Sequence, residues 1–452
     1  MKLPELPPDL ERILHPYQRI PSRQIIRALQ HGLEEWDYPG AVDLSDVGTG
    51  KSFMDGAAAL ATGRRPVVLC PVVGIDGWKS VFQKLGQEPA YVGSYEAVRG
   101  GWRKEIGDFR DGKFVWKNTS EIVLLLDEAH MVKGQDSMTA ATIGGAINAS
   151  VPTIAASATM ATSPVDMRIA GRITGLHKGG ADWKRFLIEK NAKYVPEDNR
   201  WTWDRRKNLW MLDDINKILI PERGARVRKA DMGEQPGTTI RVLPFADIPE
   251  QPEIEKAWRE LDEKTKWMER ERMPREQIRN ARFAGRMKIW KRSELALVPR
   301  VCERAKRCLD EGKSVILFFS FTASRLAASK IMKTKDGFFG GQSQKQRERI
   351  KADFQANRIF CLLCNIGAAG ASVSLHDTTG ERPRETFIFP TDNPVKMGQA
   401  PGRVDRNGGK THSLQWIPCL AGGFSQRMVE STARKLEALS VFNDGADQQS
   451  LE

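Results

Sequence analysis

The stretch AVDLSDVGTGKSFMDGAAALA at residues 41–61 places a short apolar run, a glycine-containing loop and a strong helix-forming segment in succession. That order is typical of a strand, a turn and a helix in a parallel α/β sheet. Glycines at 48 and 50 allow the backbone to wrap closely around phosphates, and the N–H groups at a helix start favour negative charge. The sequence therefore predicts a phosphate-binding loop at DVGTGKS, residues 46–52.

Two side chains of this loop have the chemistry of nucleotide binding. Lys51 can reach the β- and γ-phosphates of ATP, and the Ser52 hydroxyl can bind magnesium. Ser45 stands where the usual GxxxxGK[ST] pattern has its first glycine, so an ordinary strand-to-helix turn is the alternative for this motif alone. The candidate ATP-binding residues of the loop are Gly48, Thr49, Gly50, Lys51 and Ser52.

A second motif, LLLDEAH at 124–130, ends an apolar run with two acidic residues. The carboxyl ends of parallel strands present ligands. We expect Asp127 to hold Mg²⁺ through water, and Glu128 to position and deprotonate an attacking water. A solvated acidic strand end is the alternative, and the phosphate loop upstream counts against it.

Two series of short apolar runs alternate with helical or loop stretches, which indicates two parallel sheets covered by helices. The first series extends from Ala41 to about Thr159, and the second begins with SVILFFSF at 314–321. The charged stretch between them has helical periodicity. We therefore expect an α/β fold of two lobes joined by a helical connector. The expected bounds are 1–245 for the first lobe, 246–300 for the connector and 301–452 for the second lobe.

Together with SAT at 157–159 and QAPGRVDR at 399–406, these motifs resemble helicase superfamily two. Within it the chain is most similar to the SWI/SNF-type DNA translocases, because the motifs follow in that family's order over nearly the whole chain. SAT departs from the glycine-threonine-proline form that is common in this branch. The other segments that carry the resemblance are LHPYQ at 14–18, VVLCPVVGIDGW at 67–78, GSYEAV at 93–98, the arginine-rich stretch within 208–236, GGQSQKQRERIKADF at 340–354 and NIGAAGASVS at 365–374.

The resemblance implies two RecA-like P-loop lobes, ATP and Mg²⁺ as cofactors, and an ATP site divided between the two halves of the sequence. It gives Gln18 the role of reading the adenine edge and makes Arg406 the arginine finger. Arg403 lies three residues before Arg406, so on a helix the two share a face. Surface arginines are the alternative. The other second-lobe residues that the resemblance places at the ATP site are Gly370 and Gln399.

The balance of charge points to a nucleic-acid partner. The 452 residues carry a formal net charge of +13 and a pI near 9.4, which would attract a polyanion through counterion release. Part of the connector is strongly basic, and its spacing gathers several cations on one helical face; a merely solvated helix is the alternative. Its cations are Arg272, Arg275, Arg279, Arg282, Arg286, Lys288, Lys291 and Arg292.

The remaining bulk features favour an enzyme of the cytoplasm. No segment approaches the roughly 20 apolar residues that a membrane span requires, so no membrane partner is expected. The six cysteines are scattered, which suits a reducing compartment. The compact chain favours a bacterial or phage protein over a nuclear one, and a monomer is compatible with the sequence.

Three functions are consistent with these features. The first is an ATP-driven helicase or translocase on DNA, probably duplex in form, as the SWI/SNF resemblance implies. The second is an ATP-dependent RNA helicase, which would use the same ATP chemistry. The third is a nucleic-acid-binding scaffold with a decayed ATP site, and the filled catalytic positions count against it.

Overall fold

The computed structural model describes residues 2–99, 106–111, 113–132, 138–233, 236–368, 373–391, 393, 396–397, 400, 404 and 408–444. The chain forms two compact units. The first comprises Met1–Gly233 and Leu436–Glu452, and the second comprises Glu234–Lys435. Each unit contains one larger parallel sheet, which confirms the expected α/β fold with two parallel-sheet lobes.

The sheet of the first unit has six strands in the order β10-β1-β7-β6-β2-β3, and every neighbouring pair is parallel. Alternate residues of its central strands enter two cores, one on each face. Val123 and Leu125 pack on one face, and Leu124 and Leu126 on the other. The strands are β1 (Gly40–Asp43), β2 (Arg65–Cys70), β3 (Tyr91–Ser94), β6 (Ile122–Asp127), β7 (Thr153–Ala156) and β10 (Gly224–Ala225).

Helices cover both faces of this sheet, and two small antiparallel hairpins form separate two-stranded sheets. In α3, Ala57, Ala58 and Ala59 are fully buried against one face, because their small side chains allow close helix-to-sheet packing. The hairpins are β4 (Gly107–Arg110) with β5 (Lys113–Trp116), and β8 (Lys193–Val195) with β9 (Arg200–Thr202). The helices are α1 (Pro8–Ile13), α2 (Pro16–Trp36), α3 (Lys51–Ala61), α4 (Ile75–Lys84), α5 (Tyr95–Arg99), α6 (Met138–Asn148), α7 (Ala170–Ile173), α8 (Gly180–Glu189), α9 (Arg205–Asn208) and α10 (Trp210–Leu219).

The second unit has a five-stranded sheet in the order β11-β15-β14-β12-β13, again parallel throughout. β11 pairs with β15 along its whole length, from Thr238 opposite Ser413 to Phe245 opposite Leu420. Residues 238–245 therefore belong to the second unit, whereas the sequence placed them in a first lobe ending at 245. The strands are β11 (Thr238–Phe245), β12 (Ser314–Phe319), β13 (Cys361–Asn365), β14 (Arg384–Ile388) and β15 (Ser413–Leu420).

The expected connector, 246–300, forms helices that are part of the second unit. Leu297, Val298 and Val301 are buried in its core, so this segment covers the second sheet. Glu294, in the helix that contains these three residues, accepts hydrogen bonds from the backbone N–H groups of Ser320 and Phe321, each at 3.0 Å. These bonds join the helix to the residues that follow β12. The helices that start in this unit are α11 (Gln251–Arg270), α12 (Arg275–Asp310), α13 (Thr322–Met332), α14 (Gln344–Gln355) and α15 (Phe424–Asp444).

The last turns of α15 return to the first unit. Ala438, Val441 and Phe442 are buried in its core, and Asn216 Nδ2 donates to the carbonyl oxygens of Phe442 and Asn443, each at 2.9 Å. Residues 436–444 therefore belong to the first unit, and not to the second lobe as the 301–452 bounds implied. The reason is that these apolar side chains share one face of the helix. Of the helices that the structure describes, none is long and apolar enough to cross a membrane.

Candidate nucleotide-binding site

The loop between β1 and α3 has a conformation that suits an anion. β1 ends at Asp43 and α3 begins at Lys51. Gly48 and Gly50 have φ angles of 92° and 85°, in the region that favours glycine. The first N–H groups of α3 have no acceptor within the helix and carry partial positive charge. The predicted motif therefore forms a strand, a glycine turn and a helix start, which together fit a phosphate group.

The ammonium group of Lys51 is held over this loop by backbone oxygens alone. Lys51 Nζ donates to the carbonyl oxygens of Ser45 at 2.9 Å and Asp46 at 3.0 Å. Within the part of the chain that the structure describes, Lys51 forms no ion pair. Its positive charge is therefore oriented by carbonyl oxygens without a direct carboxylate partner, which leaves its N–H groups suited to a phosphate.

Gln18 connects the start of α2 to the phosphate loop. Its Oε1 accepts the N–H of His15 at 2.9 Å, and its Nε2 donates to the carbonyl oxygens of Thr49 at 2.9 Å and Gly50 at 3.5 Å. Only 3% of Gln18 is exposed. In this structure Gln18 positions the phosphate loop, and the reading of an adenine edge by the same amide stays a prediction.

Asp127 lies at the end of β6 and is fixed on two sides. Trp78 Nε1 donates to Asp127 Oδ2 at 2.9 Å, and the Tyr95 hydroxyl donates to the Asp127 carbonyl oxygen at 2.8 Å. Burial, followed by the negative charge of Glu128, raises the pKa of Asp127 to about 6. A cation beside this carboxylate would favour its ionised form.

Two more buried carboxyl groups lie behind the phosphate loop. Burial, followed by the charge of Asp43 and a hydrogen bond with it, raises the pKa of Asp55 well above its usual range, while Lys51 acts in the opposite direction. Asp43 Oδ1 also accepts the N–H of Ser45 at 2.8 Å. The two carboxyl groups lie at the end of β1 and in α3, on either side of the loop in sequence.

The SAT segment meets the DEAH segment at His130. His130 Nδ1 lies 3.2 Å from Glu128 Oε2, 3.0 Å from Ser157 Oγ and 3.2 Å from Thr159 Oγ1. With its proton on Nδ1 the imidazole can donate to the Glu128 carboxylate, and with the proton on the other nitrogen it can accept from either hydroxyl. Glu128 itself has a left-handed backbone with φ of 53°. The orientation of Glu128 is thus connected to the end of β7.

The structure brings the predicted first-lobe residues together at one edge of the first sheet, where β1, β6 and β7 end. Thr49 is buried in the loop, its hydroxyl donating to the Asp46 carbonyl at 2.9 Å, and Ser52 lies in the first turn of α3. The predicted second-lobe residues Gly370, Gln399, Arg403 and Arg406 lie outside the described residues.

Sequence reasoning missed the aromatic and imidazole groups that hold the acids. Trp78 and Tyr95 occur in the segments VVLCPVVGIDGW and GSYEAV, which carry part of the resemblance to the helicases. Each has a polar atom that can reach a neighbouring acid, but only the order of parallel strands shows which acid that is. The sequence did contain a signal for His130, because it is the last residue of the DEAH motif.

The basic stretch predicted in the connector lies largely on α12 of the second unit. Between Glu276 and Glu294 the helix carries no acidic residue. Arg282 pairs with Glu269, and Arg292 pairs with Glu253, each at 2.8 Å.

One side of this helix has no such pairing. Arg279 and Arg286 are exposed and form no ion pair with a described residue. Phe283 lies between them, four residues after Arg279, and is 66% exposed. At 3.6 residues per turn these three side chains form one stripe along the helix, here called the α12 stripe.

No protein-family model matches the chain. Among curated proteins it is 28% identical over 462 residues to a candidate ATP-dependent RNA helicase of Acanthamoeba polyphaga mimivirus, covering 96% of this chain and 84% of that protein. The chain is similar to a helicase over nearly its whole length. This similarity agrees with the superfamily-two resemblance of the motifs.

Two solved structures are also similar, at low identity. One is the Sulfolobus solfataricus SWI2/SNF2 ATPase core in complex with double-stranded DNA, at 17% identity and a TM-score of 0.38, over 97% of this chain and 95% of that one. The other is S. cerevisiae Dbp5 bound to RNA and ADP BeF3, at 12% identity and a TM-score of 0.49, over 98% of this chain and 93% of that one.

Proposed function

We propose that the chain is an ATP hydrolase that depends on nucleic acid and couples hydrolysis to movement on DNA, as a helicase or translocase. The proposal rests on one observation: a lysine without a direct ion pair and an acidic strand end lie at the same edge of a parallel sheet. Lys51 follows the loop after β1, and Asp127 and Glu128 lie at the end of β6, which is separated from β1 by β7 alone.

Hydrolysis of a phosphoanhydride requires positioning and charge neutralisation more than covalent help. Lys51 binds the β- and γ-phosphates from the loop. Glu128 orients the attacking water and accepts its proton, and His130 keeps that carboxylate in place. Arg403 and Arg406 add positive charge at the γ-phosphate, as the motif resemblance implies.

The residues at the loop fit Mg²⁺. No group of three or more His, Cys, Asp or Glu among the described residues could hold a metal ion by itself. Magnesium at such sites is usually bound by one or two carboxylates together with substrate phosphates. Asp127, whose ionised form gains from a nearby cation, and the Ser52 hydroxyl are the residues that would hold it. Bound there, Mg²⁺ would neutralise charge on the β- and γ-phosphates.

DNA is the favoured nucleic acid, and RNA is the second candidate. The QAPGR motif at 399–403 and the 208–236 segment support DNA through the SWI/SNF resemblance. The name of the mimivirus relative supports RNA. The α12 stripe suits either polymer, because phosphates and stacked bases occur in both.

The deciding experiment measures ATP hydrolysis by the full chain with duplex DNA, single-stranded DNA and RNA side by side. We expect slow hydrolysis alone and strong stimulation by DNA, with duplex at least as effective as single strands. Stimulation by RNA alone would replace DNA with RNA in the proposal. Absence of hydrolysis with all three polymers would leave the decayed scaffold as the function.

A further inference from the structure

The phosphate loop is connected to the last described turn of α15 through one buried arginine. Asp46, the first residue of DVGTGKS, has both carboxylate oxygens occupied. Oδ1 accepts from Arg226 Nη1 at 2.8 Å, and Oδ2 accepts the N–H of Lys229 at 2.9 Å. The N–H of Asp46 donates to the Val227 carbonyl at 2.9 Å. Asp46 is therefore held by the segment that follows β10, while its own carbonyl holds Lys51.

Arg226 in turn is held by the last described residue of α15. Its Nε and Nη2 donate to Asp444 Oδ1 and Oδ2, each at 2.9 Å, which is the bidentate pairing of a guanidinium with a carboxylate. Arg226 Nη1 also donates to the Leu44 carbonyl at 2.6 Å. Arg228 Nε also lies 3.1 Å from Asp444 Oδ1. The network therefore contains two carboxylates, Asp46 and Asp444, and two guanidinium groups.

Burial separates this network from an ordinary surface ion pair. Only 8% of the Arg226 side chain is exposed. Removing one carboxylate would leave buried N–H donors without an acceptor, which costs more than breaking an exposed pair. The pair of Lys190 with Asp214 in the same unit, at 3.6 Å, has a more exposed carboxylate and lacks the bidentate geometry.

We propose that Asp444 is a positioning residue for ATP binding. It orients Arg226, Arg226 fixes Asp46, and the loop carbonyl oxygens then hold the Lys51 ammonium toward the phosphates. In this role neither Asp444 nor Arg226 touches the nucleotide. The inference rests on the proposed function, since it concerns the same phosphate loop, and it makes the end of α15 part of the support of the ATP site.

The test compares the full chain with Asp444→Asn and with the matched control Asp214→Asn. Three quantities are measured: the Kd of a fluorescent ADP analogue, the KM and kcat for ATP, and the midpoint of thermal unfolding. We expect Asp444→Asn to raise Kd and KM about tenfold, as the loss of one charge-assisted hydrogen bond would, and to change kcat by less than about threefold. Asp214→Asn should leave Kd and KM unchanged.

A second variant keeps the test decisive if Asp444→Asn folds poorly. Arg226→Lys retains the charge but cannot hold both carboxylates, so it should raise Kd by a similar factor. The double variant Asp46→Asn with Asp444→Asn should cost less than the sum of its parts, because both act through Arg226. Wild-type Kd and KM in Asp444→Asn, with or without lower thermal stability, would overturn the inference. Failure of the wild-type chain to bind the ADP analogue would instead overturn the proposed function.

Discussion

At the scale of single residues, substitutions of Lys51 and Glu128 should have different effects on ATP binding and turnover. Lys51→Ala removes the charge oriented by Ser45 and Asp46, so it should weaken ATP binding or turnover. Glu128→Gln keeps the shape beside His130 but removes the base, so it should still bind ATP and scarcely hydrolyse it. Equilibrium binding of an ATP analogue and stimulated turnover separate the two, and normal turnover by Glu128→Gln would exclude Glu128 as the base.

Glu294 predicts a dependence of stability on pH in the second unit. Burial raises its pKa from 4.5 to about 7, although hydrogen bonds from the backbone N–H groups of Phe321 and Ser320 favour the charged form. The folded protein therefore holds this proton more tightly than the unfolded chain. The resulting contribution to the free energy of unfolding is complete below the usual pKa and is lost as the pH rises through about 7, with an upper bound of about 3 kcal/mol.

The measurement is urea unfolding of the wild type and Glu294→Gln at pH 5 and pH 8. The wild type should lose more stability between these two values than Glu294→Gln does. Glu303→Gln, at an exposed position of the same helix, should behave as the wild type. Equal losses in all three proteins would contradict the assignment.

At the scale of elements, the phosphate loop depends on the absence of a side chain at one position. A Cβ on Gly50 would lie 2.3 Å from Gln18 Nε2, and Gly50 has a φ of 85°. Gly50→Ala should therefore displace the amide that holds the loop and raise the KM for ATP. Gly63→Ala is the matched control, because Gly63 has a similar φ of 72° but no atom within 4 Å of the added Cβ. If both variants raise KM equally, backbone strain and not the Gln18 contact is the cause.

The α12 stripe should determine part of the affinity for nucleic acid. Arg279→Ala with Arg286→Ala should lower affinity and reduce the slope of log K against log salt by about 2, one for each lost phosphate contact. Lys288→Ala with Lys291→Ala removes the same charge from the other side of the helix and should change the slope less. ATP hydrolysis without nucleic acid should be unaffected in both. An unchanged slope in the arginine variant would exclude the stripe as a contact.

Sequence patterns predicted the positions of the strands better than they predicted which segments pair or contact one another. The apolar runs at 67–71, 122–128 and 314–321 are strands because branched and aliphatic residues fill a sheet buried on both faces. The exposed strand β11 was not predicted, since its neighbours in the sheet are known only once it pairs with β15. The contact of Gln18 with Thr49 was missed for the same reason, because it joins segments distant in sequence.

At the scale of the whole molecule, motif order predicted two parallel-sheet units, but the division of the chain between them was not predictable from local patterns. The boundary at Gly233 depends on which sheet β11 joins. The last turns of α15 belong to the first unit because they pack with core residues that are distant in sequence. Both are long-range packing effects. Within the candidate site, the sequence named Lys51, Asp127 and Glu128, whose roles stay predictions, and it did not name the residues that contact them, such as Trp78 and His130.

Arg406 provides the prediction that concerns both halves of the sequence. It lies outside the described residues, and its role follows from the resemblance of QAPGRVDR. Arg406→Ala should leave DNA binding near normal and weaken ATP binding only modestly, while DNA-stimulated turnover falls by roughly a thousandfold. Turnover at saturating ATP and DNA is the measurement, and retention of more than about a tenth of the wild-type rate would exclude this residue as the finger. A fragment ending at 240 is no equivalent control, because it lacks Ala438, Val441 and Phe442 of the first core.

The return of α15 also sets the order in which the molecule can mature on the ribosome. Synthesis at about 5–20 residues per second takes about 10 to 40 s to pass from Gly233 to Leu436. Throughout that interval the first unit lacks the side chains of its final helix, so the apolar surface that receives Phe442 faces solvent. The second unit, which ends at Lys435, can be completed first. The first unit of a nascent chain therefore cannot be complete before the second unit is, and the first half of the chain is the part that needs protection from aggregation during translation.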